Sequence, residues 1–368
     1  MTEPILINLA MVFNRPTGIA NYALNVTRHL DSLNPILLTS STVANTINGP
    51  RCEPVPHNMT PAEGSRGHLR RLWWTQWQLP KLYQKFKASL IYSPIPEAPL
   101  YTGCPYVVMC HDLIPLRFPR WMSPLTNYFR LVVPQVLRQA RHVICNSEAT
   151  ARDIRQFYGI PSNKISPILL AYDATHFYQR AKSKITNLDT THPYFLYLGR
   201  HDPYKNLASL IAAFAQISSS IDCNLYLAGT RDSRFTPQLE QQVRELDLRD
   251  RIKFLDYVAY QNLPNLLSQA VALVFPTLWE GFGLPVLEAM ACGTPVITSN
   301  LASLPEVTKK AAVLIDPYKI TEIAKAMQAI ALDTQMRSQL SQLGLERAKQ
   351  FSWTKTAVQT QAILQQFS

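Results

Sequence analysis

The most informative pattern of apolar and polar residues lies in the last third of the chain. Val271 to Phe275 is an uninterrupted apolar run of the length expected for a strand that is buried on both faces of a parallel sheet. A loop containing Gly281 and Gly283 follows. We expect a helix of about two turns from Pro285 to Cys292, because proline suits the first turn of a helix and Gly293 suits the left-handed position just past its end. The pattern therefore predicts a strand, a glycine-rich loop and a short helix.

Two glutamates give this unit its chemical character. Glu280 enters the loop, and Glu288 lies one turn inside the predicted helix. Amides at the start of a helix favour phosphate, which carboxylates repel, whereas carboxylates accept hydrogen bonds from hydroxyl groups. The unit is therefore predicted to bind a ligand that carries both phosphate and sugar. The alternative is that the glutamates only favour the positive end of the helix, each by roughly a few tenths of a kcal/mol, but their position around a glycine loop favours the ligand.

A related unit opens the chain. The apolar run from Ile5 to Phe13, which Asn8 interrupts, predicts a strand. Asn14 to Gly18 predicts a turn, and Ile19 to Leu30 has helical spacing. Gly18 would allow the backbone to approach a ligand closely. The dinucleotide fingerprint G-x-G-x-x-G is absent, but the unit is Rossmann-like. Further strands are predicted at Ile36–Leu38, around Leu90–Ser93, from Tyr106 and from Arg141.

His111 stands where one of these predicted strands ends. The strand begins at Tyr106, and α/β sheets place their chemistry at the carboxyl ends of parallel strands. A lone histidine on an apolar face is more often structural, but this position favours a functional role for His111. His142 begins its strand rather than ending it, so we expect it to be structural.

The second half of the chain repeats the strand-to-helix pattern. Tyr194 to Leu198 predicts a strand, and an apolar helical pattern follows Gly199. Arg200 and Lys205 flank the loop as two cations, which could hold a diphosphate together with the amides at the helix start. A basic pair on the surface is the alternative, which the strand-to-helix setting disfavours. Further parallel strands are predicted at Asn224–Gly229 and Ile252–Val258, with crossover helices near Gln238–Leu248 and Leu263–Ala270.

Length and composition divide the chain in two. A chain of 368 residues exceeds one ordinary core and suits two domains, while 47% apolar and 17% charged residues describe a globular protein. The polar stretch from Tyr172 to Pro193 has no periodicity, which predicts a linker. We therefore predict an N-terminal Rossmann-like domain at 1–171, a linker at 172–193, a C-terminal Rossmann-like domain at 194–350, and a terminal helix at 351–368 that can cross back to the N-terminal domain.

Charge and cysteines narrow the class of protein further. No apolar run approaches the ~20 residues of a membrane span, and the N-terminus lacks a basic start or cleavage site, which predicts a cytoplasmic location.

The six cysteines show no paired metal spacing and mostly lie in apolar runs, so we expect buried free thiols. Residues 1–171 contain 17 Lys/Arg and 8 Asp/Glu, a net charge of +9, against +2 for the remainder. Such a field suits nucleic acid, an anionic membrane surface or an acidic substrate.

Tryptophans and basic residues concentrate between Gly67 and Lys87. Trp73 and Trp77 stand one helical turn apart, with arginines and lysines around them. One interpretation is an interfacial helix, with its rings at the level of lipid headgroups and its cations on anionic lipid. The other is a core-packing helix with a solvated basic face, and both stay open. Pro80 is expected to break the apolar stripe and to keep any membrane helix short.

Four segments together resemble the retaining glycosyltransferases of family 4. They are the first glycine loop from Thr17 to Tyr22, the strand end at His111 and Asp112, Gly199 and Arg200 with Lys205, and the run Glu280–Glu288 continuing into Ser303–Val307. The resemblance spans nearly the whole chain, and the last segment is the most specific. The run from His111 through Phe118-Pro-Arg-Trp to Ser147-Glu148 most resembles bacterial mannosyl- and rhamnosyltransferases of polysaccharide assembly. The resemblance implies the GT-B fold, which has two facing Rossmann-like domains with parallel sheets and an interdomain cleft. It also implies that the N-terminal domain at 1–171 binds the acceptor and that the C-terminal domain at 194–350 binds the nucleotide sugar.

The resemblance also implies a role for each candidate residue. Arg200 and Lys205 would bind the diphosphate and stabilise the charge that builds on it as it departs. Glu280 and His111 would contact the donor sugar, and Glu288 would accept hydrogen bonds from the ribose hydroxyls. The other ligand contacts would come from the amides of Gly281, Phe282, Gly283 and Leu284 at sugar and phosphate, from Gly18 at the diphosphate, and from the backbone around Val258 at the base.

The implied reaction needs no protein nucleophile. The acceptor attacks on the face from which the leaving group departs, and a donor phosphate oxygen takes its proton. No Asp-x-Asp occurs in the chain, and neither a metal nor another cofactor is expected. The resemblance favours GDP-mannose as the donor, with UDP-glucose or a similar sugar as the alternative. The acceptor would be a saccharide or a lipid-linked molecule at the inner membrane face, where a peripheral contact with anionic membrane is open and specific binding to nucleic acid is not expected. The rival function is a non-catalytic nucleotide-sugar-binding subunit or regulator.

The chain departs from the family pattern at three places. The first loop, often Gly-Gly-Ile-Gly followed by Arg, reads Thr17-Gly-Ile-Ala-Asn21, which leaves one glycine for close approach. The usual Asn-Gly-Val-Asp after Ile168 reads Leu-Ala-Tyr-Asp173, and Lys309-Lys310 replaces the usual Gly-Asp. None of these changes removes the two cations or the paired glutamates.

Overall fold

The computed structural model describes residues 3–12, 18–45, 47, 49–60, 63–120, 122–181 and 192–368. The chain divides into two compact units, one made of Met1–Leu170 with Trp353–Ser368 and the other of Ala171–Ser352. Each unit contains a parallel sheet with helices between its strands. The predicted α/β class with two Rossmann-like domains is confirmed.

Seven described strands form the sheet of the first unit. Most of them are short apolar runs whose residues are buried throughout, because helices cover both faces of a parallel sheet. The strands are β1 (Ile5–Asn8), β2 (Pro35–Thr39), β3 (Arg51–Pro54), β4 (Leu90–Ser93), β5 (Tyr106–Cys110), β6 (His142–Cys145) and β7 (Ile165–Pro167). Their spatial order is β3-β2-β1-β4-β5-β6-β7, and every neighbouring pair is parallel.

The helices of the first unit connect these strands. They are α1 (Gly18–Thr27), α2 (Ser41–Ala44), α3 (Gly64–Phe86), α4 (Ile114–Arg117), α5 (Pro124–Leu131), α6 (Val133–Gln139) and α7 (Glu148–Tyr158). Ser147 caps α7, because its hydroxyl oxygen accepts a hydrogen bond from the Thr150 amide at 3.0 Å. The cap fixes the start of the helix directly after β6.

Six described strands form the sheet of the second unit. They are β8 (Tyr194–Leu198), β9 (Asn224–Ala228), β10 (Ile252–Leu255), β11 (Ala272–Phe275), β12 (Val296–Ser299) and β13 (Val313–Ile315). Their order is β10-β9-β8-β11-β12-β13, again with parallel pairs. The remaining helices are α8 (Leu207–Ile217), α9 (Thr236–Glu245), α10 (Leu263–Gln269), α11 (Leu284–Ala291), α12 (Leu304–Thr308), α13 (Ile320–Leu332), α14 (Thr334–Ala348) and α15 (Trp353–Phe367).

In both sheets the order of strands reverses beside the first strand of the unit. The reversal lies between β1 and β4 in the first unit and between β8 and β11 in the second. Ligands of open α/β sheets bind beyond the carboxyl ends of the strands at such a switch point. The strand order alone therefore directs attention to the loops that follow β8 and β11.

The last helix belongs to the first unit. Trp353 of α15 lies with its ring centroid 6.3 Å from that of Tyr22 on α1, and Phe367 stacks on His142 at 5.5 Å. The Thr356 hydroxyl donates a hydrogen bond to the Leu169 carbonyl at 2.8 Å. These contacts attach the end of the chain to helices and strands of its beginning.

The glycine-loop unit in the second half has the predicted structure. Helix α11 begins one residue before Pro285, and Gly293 has a φ of 74°, the left-handed conformation expected past a helix end. The expected free thiols are also confirmed, since none of the six cysteines forms a disulfide and five of them are buried. Among the described residues, none of the helices has the length and hydropathy of a membrane span.

Two local expectations were wrong. Pro80 does not end the helical stripe, because α3 continues through it, and its neighbour Leu79 is fully buried in the core on the inner face of that helix. The strand predicted from Ile5 ends already at Asn8, whose side-chain oxygen accepts a hydrogen bond from the Ala10 amide at 3.2 Å and turns the chain. The end of that run at Phe13, Thr17 of the first glycine loop, Trp121 and the linker residues 182–191 lie outside the described residues.

Candidate active site

The loops after β8 and β11 are joined by backbone and side-chain hydrogen bonds. The Leu278 amide donates to the Tyr204 carbonyl at 2.8 Å, and the Asn206 side-chain amide donates to the Pro276 carbonyl at 3.1 Å and to the Pro317 carbonyl at 2.7 Å. Asn206 has a φ of 62°, a conformation that asparagine tolerates better than most residues. The two loops at the switch point therefore form one site.

Lys205 and Glu280 form an ion pair at this junction. The Lys205 Nζ lies 2.5 Å from Glu280 Oε1, with only 12% and 11% of the two side chains exposed. Burial by itself would lower the pKa of the Lys205 ammonium, but the Glu280 carboxylate outweighs it, so the pKa is raised. The ammonium also lies 5.1 Å and 5.3 Å from the ring centroids of Tyr204 and Phe275. Lys205 is thus a fixed, permanently charged cation.

Arg200 lies beside this pair but reaches into solvent. Its guanidinium donates a hydrogen bond to the Tyr204 hydroxyl at 3.2 Å and lies 3.1 Å from Asp202, while 71% of the side chain is exposed. Both predicted cations therefore contact Tyr204, Lys205 through the face of its ring and Arg200 through its hydroxyl. The structure brings Arg200, Lys205 and Glu280 together in one place.

The glycine-rich loop is held from behind by a serine. The Ser303 hydroxyl lies 3.0 Å from the carbonyl oxygens of both Glu280 and Phe282. Gly283 has a φ of 98°, and a Cβ there would lie 2.6 Å from Leu304. A side chain at this position would meet both a strained backbone and the packed start of α12, which explains the glycine.

The members of this loop contribute differently to the predicted site. The Phe282 side chain is 3% exposed and packs edge-on against Phe351 at 6.2 Å, so that ring anchors the loop in the core. Gly281 is buried in the loop, and Leu284 begins α11. Gly281 and Gly283 have no side chains and the Phe282 ring is buried, so a ligand at this loop would meet backbone groups, together with the amides at the N-terminus of the helix.

Glu288 lies on α11 without a partner among the described residues. Its side chain is partly exposed, and no described group within hydrogen-bond or ion-pair distance compensates its charge. Burial raises the pKa of this carboxyl to about 7. A partly exposed carboxyl with no partner among the described residues is suited to accept hydrogen bonds from the hydroxyl groups of a ligand.

The loop after β10 reaches the neighbourhood of Glu288. Val258 is partly exposed at the carboxyl end of that strand, and Tyr260 follows it. Tyr260 stacks on His176 with ring centroids 4.0 Å apart. Its hydroxyl donates a hydrogen bond to Asp173 at 3.4 Å, and burial raises the pKa of Tyr260, with smaller contributions from the charges of Asp173 and Glu288. Asp256 is engaged by Arg231 at 2.7 Å, so it is already occupied by a cation.

His111 and Gly18 lie in the first unit. The His111 Nε2 lies 2.9 Å from the Pro94 carbonyl, and because a carbonyl only accepts hydrogen bonds, Nε2 carries the proton and Nδ1 is left as an acceptor. Burial lowers the pKa of His111 to about 4, so the ring is neutral at physiological pH. Its ring meets that of Tyr22 edge-on at 5.1 Å. Gly18 begins α1 and is exposed.

Several residues that shape the site were missed from the sequence. Ser303 belongs to a segment that the resemblance had included, but its contacts with the glycine loop could not be foreseen. Asn206 directly follows Lys205, and an asparagine between a loop and a helix is a recognisable signal for a left-handed residue. Tyr204, which joins the two cations, carries no such signal.

Family models match both halves of the chain. Residues 16–176 match the model described as Glycosyltransferase Family 4, and residues 179–347 match the model described as Glycosyl transferases group 1. The two matches follow each other without overlap.

Known proteins extend this similarity over most of the chain. O-antigen chain mannosyltransferase B of Escherichia coli is 30% identical over 264 residues, which cover 69% of this chain and 68% of that protein. O-antigen chain mannosyltransferase RfbU of Salmonella typhimurium is 27% identical over 323 residues, which cover 85% of this chain and 87% of that protein. The structure of sucrose-phosphate synthase from Thermosynechococcus elongatus is similar in fold, with a TM-score of 0.77 and 23% identity over 99% of this chain and 98% of that one. These similarities, with the two parallel sheets and the site at the switch point, show that the chain belongs to the glycosyltransferases of family 4.

Proposed function

We propose that this glycosyltransferase moves a hexose from a nucleotide-diphosphate sugar to a saccharide or lipid-linked acceptor, with retention of configuration at the transferred carbon. The observation that carries the proposal is the pairing of Lys205 with Glu280 at the switch point, where Arg200 adds a second cation. A site with two cations, loop and helix amides, and carboxylates on either side matches a ligand that has a diphosphate between two sugars.

The cations would act on the leaving group. Arg200 has an exposed guanidinium that can form paired hydrogen bonds with phosphate oxygens, and Lys205 supplies a fixed positive charge. Negative charge grows on the diphosphate as the bond to the sugar breaks, and preformed cations stabilise that change without reorganising. Glu280 would accept hydrogen bonds from the sugar hydroxyls with the oxygen that Lys205 leaves free, so the ion pair links the two parts of the donor.

The nucleotide would be held farther along α11, one turn after the helix begins. Glu288 would accept hydrogen bonds from the ribose hydroxyls, and the backbone near Val258 would contact the base. Amides from Gly281 to Leu284 would reach sugar and phosphate, and the Gly18 amide would reach the diphosphate. His111 would accept a hydrogen bond from a sugar hydroxyl through its unprotonated Nδ1.

In the proposed reaction the acceptor oxygen forms a bond to the sugar carbon while the bond from that carbon to the phosphate oxygen breaks. The acceptor proton passes to an oxygen of the departing diphosphate, and no covalent intermediate between sugar and protein is formed. The two cations supply the positive charge for this step, and we propose that turnover needs no divalent metal. A peripheral contact with membrane would bring the enzyme to a lipid-linked acceptor.

Mannose from GDP-mannose is the proposed donor group, because relatives over most of the chain are mannosyltransferases by name. The alternatives are UDP-glucose or a similar donor, and a protein that binds the nucleotide sugar without turnover. A screen of thermal stability over GDP, UDP, ADP and their sugars is expected to show the largest rise in Tm with GDP and GDP-mannose. Release of nucleotide diphosphate is then expected with the preferred donor, in the presence of chelator as in its absence. If the protein bound the nucleotide sugar but released no nucleotide diphosphate with any of several acceptors, it would not be an enzyme of this kind.

Glu288 predicts a pH dependence of nucleotide binding. Its carboxyl has a pKa of about 7 in the free protein, and hydroxyl donors would stabilise the charged form and lower that pKa in the complex. Binding near pH 7 is therefore expected to release up to about half a proton, and affinity should rise with pH until it levels off above the free-state value. Titration calorimetry in buffers with different ionisation enthalpies measures this release.

The control is a pair of matched variants. Glu288→Gln should abolish the proton release and weaken nucleotide binding, whereas Glu346→Gln, at an exposed carboxylate paired with Lys349, should change neither. The same raised pKa destabilises the free fold as pH rises above the usual range of a carboxyl, so Glu288→Gln should also reduce the loss of stability between pH 5 and 8. Unchanged proton release in Glu288→Gln would remove this residue from the ribose site.

A further inference from the structure

Helix α3 has an outer face that is apolar and cationic at once. Leu69, Trp73 and Trp77 follow one another at intervals of four residues, which places them along one side of the helix. Their exposed fractions are 65%, 59% and 58%. Scattered exposed apolar residues are ordinary, but three large ones aligned on one helix face, two of them tryptophans, form a patch.

The opposite side of the helix already supplies the core contact. Trp74, Thr75 and Leu79 are buried there, and Arg71 is buried with them. The core interpretation of this segment therefore holds for the inner face and leaves Trp73 and Trp77 without a role in packing. Exposing two tryptophans to water costs free energy, which a partner surface would recover.

Cations surround the apolar row. Arg66, Arg70, Lys81 and Lys85 are exposed on α3, and Gly64–Phe86 contains no acidic residue. Two neighbouring acids pair with cations of the helix: Glu53 lies 2.7 Å from Lys85, and Glu63 lies 3.9 Å from Arg70. Pairs this exposed contribute about 0–1 kcal/mol each. The first 171 residues carry the excess positive charge of the chain, so this helix faces outward in a positive field.

A second helix beside α3 continues the pattern. His68 of α3 meets Tyr128 of α5 edge-on with ring centroids 4.9 Å apart. On α5, Leu125 and Leu131 are 50% and 66% exposed, and Arg130 is exposed between them. Two adjacent helices of the first unit therefore expose leucine together with arginine.

We propose that the outer face of α3, with α5 beside it, docks on an anionic lipid surface. Tryptophan rings settle at the level of lipid headgroups, and lysine and arginine bind headgroup phosphates, so this composition fits lipid better than it fits a protein surface of unspecified charge. The helix lies in the plane of the interface rather than crossing it. This inference does not depend on the donor site. Docking on lipid would place the enzyme where the proposed lipid-linked acceptor is located.

Co-sedimentation of the full chain with vesicles tests the surface. Vesicles of equimolar phosphatidylcholine and phosphatidylglycerol should pellet the protein, and vesicles of phosphatidylcholine alone should pellet much less. The double variant Trp73→Ala/Trp77→Ala should weaken the partition coefficient about tenfold or more, because both rings leave the interface. Arg70→Ala and Lys81→Ala should each weaken it roughly fivefold at low salt and less at high salt.

Leu332→Ala is the matched control, since Leu332 has the same 65% exposure as Leu69 but lies in the second unit. It should pellet like the wild type, and the double tryptophan variant should keep its Tm and its thermal response to nucleotide. Equal pelleting of the double variant and the wild type would overturn the proposal. So would a wild-type dimer that the double variant loses, or tight salt-sensitive binding of nucleic acid by this face in place of lipid. A failure of these tests leaves nucleotide binding unaffected, so it is distinguishable from a failure of the proposed reaction.

Discussion

Replacing Lys205 by alanine is expected to lower kcat by roughly 10²- to 10³-fold, the range seen when one preformed electrostatic contact to a developing charge is removed. The Lys205 ammonium is the buried cation at the switch point, and its pKa is raised by Glu280, so it stays charged throughout the reaction. Initial rates of nucleotide diphosphate release with saturating donor and acceptor measure the effect.

Replacing Lys205 by alanine should also lower the stability of the protein. Lys205→Ala leaves the Glu280 carboxylate with 11% exposure and without its cation, and removing one partner of a buried pair costs about 3–5 kcal/mol of stability. Lower activity could then reflect partial unfolding. The double variant Lys205→Ala/Glu280→Gln removes the orphaned charge, so it should recover most of the stability in thermal unfolding without recovering turnover.

Lys325 provides the matched control, because it is an exposed lysine on α13 of the same unit. Lys325→Ala should change neither kcat nor Tm. If the double variant regained turnover together with its stability, Lys205 would be a structural residue, and the assignment of the diphosphate to it would be wrong.

The strands and helices of both units could largely be predicted from local patterns. Parallel strands such as β11 are buried on both faces, so they read as continuous apolar runs, and proline and glycine marked the ends of α11. These signals depend on residues next to each other in the chain. The expectation for Pro80 was wrong because its outcome depends on contacts far from it in the chain, those of Leu79 and Trp74 with the core.

The candidate site was predictable as a set of residues but not as an arrangement. Arg200, Lys205, Glu280 and Glu288 were selected because they follow strands or glycines, which is local information. The bond between Lys205 and Glu280 joins residues 75 positions apart, and it follows from the adjacency of β8 and β11 in the sheet. The sequence does not show which of the two carboxylates pairs with a cation. Burial raises the pKa of Glu288, and no cation among the described residues lowers it again.

A second ion pair, in the first unit, is expected to dominate its stability. The Arg71 guanidinium donates two hydrogen bonds to Glu97 at 2.7 Å each and a third to the Met59 carbonyl at 2.9 Å. Only 8% and 4% of the two side chains are exposed. Arg71→Met is expected to lower the free energy of unfolding by about 3–5 kcal/mol, because Glu97 would remain buried without its cation. Urea unfolding followed by tryptophan fluorescence measures this loss.

Arg71→Met should also affect the position of His111, in addition to lowering the stability of the fold. Glu97 lies in the loop after β4, close to Pro94, whose carbonyl accepts a hydrogen bond from His111, and to Pro96, whose carbonyl accepts one from Tyr128 at 2.8 Å. Where Arg71→Met still folds, a displaced loop should therefore raise the KM for the donor. Arg70→Met is the matched control, since the adjacent Arg70 is half exposed and lies 3.9 Å from Glu63, and such surface pairs contribute about 0–1 kcal/mol. Equal stability losses in the two variants would mean that the buried pair contributes no more than a surface pair, and that the loop beneath His111 is held by Tyr128 and by core packing.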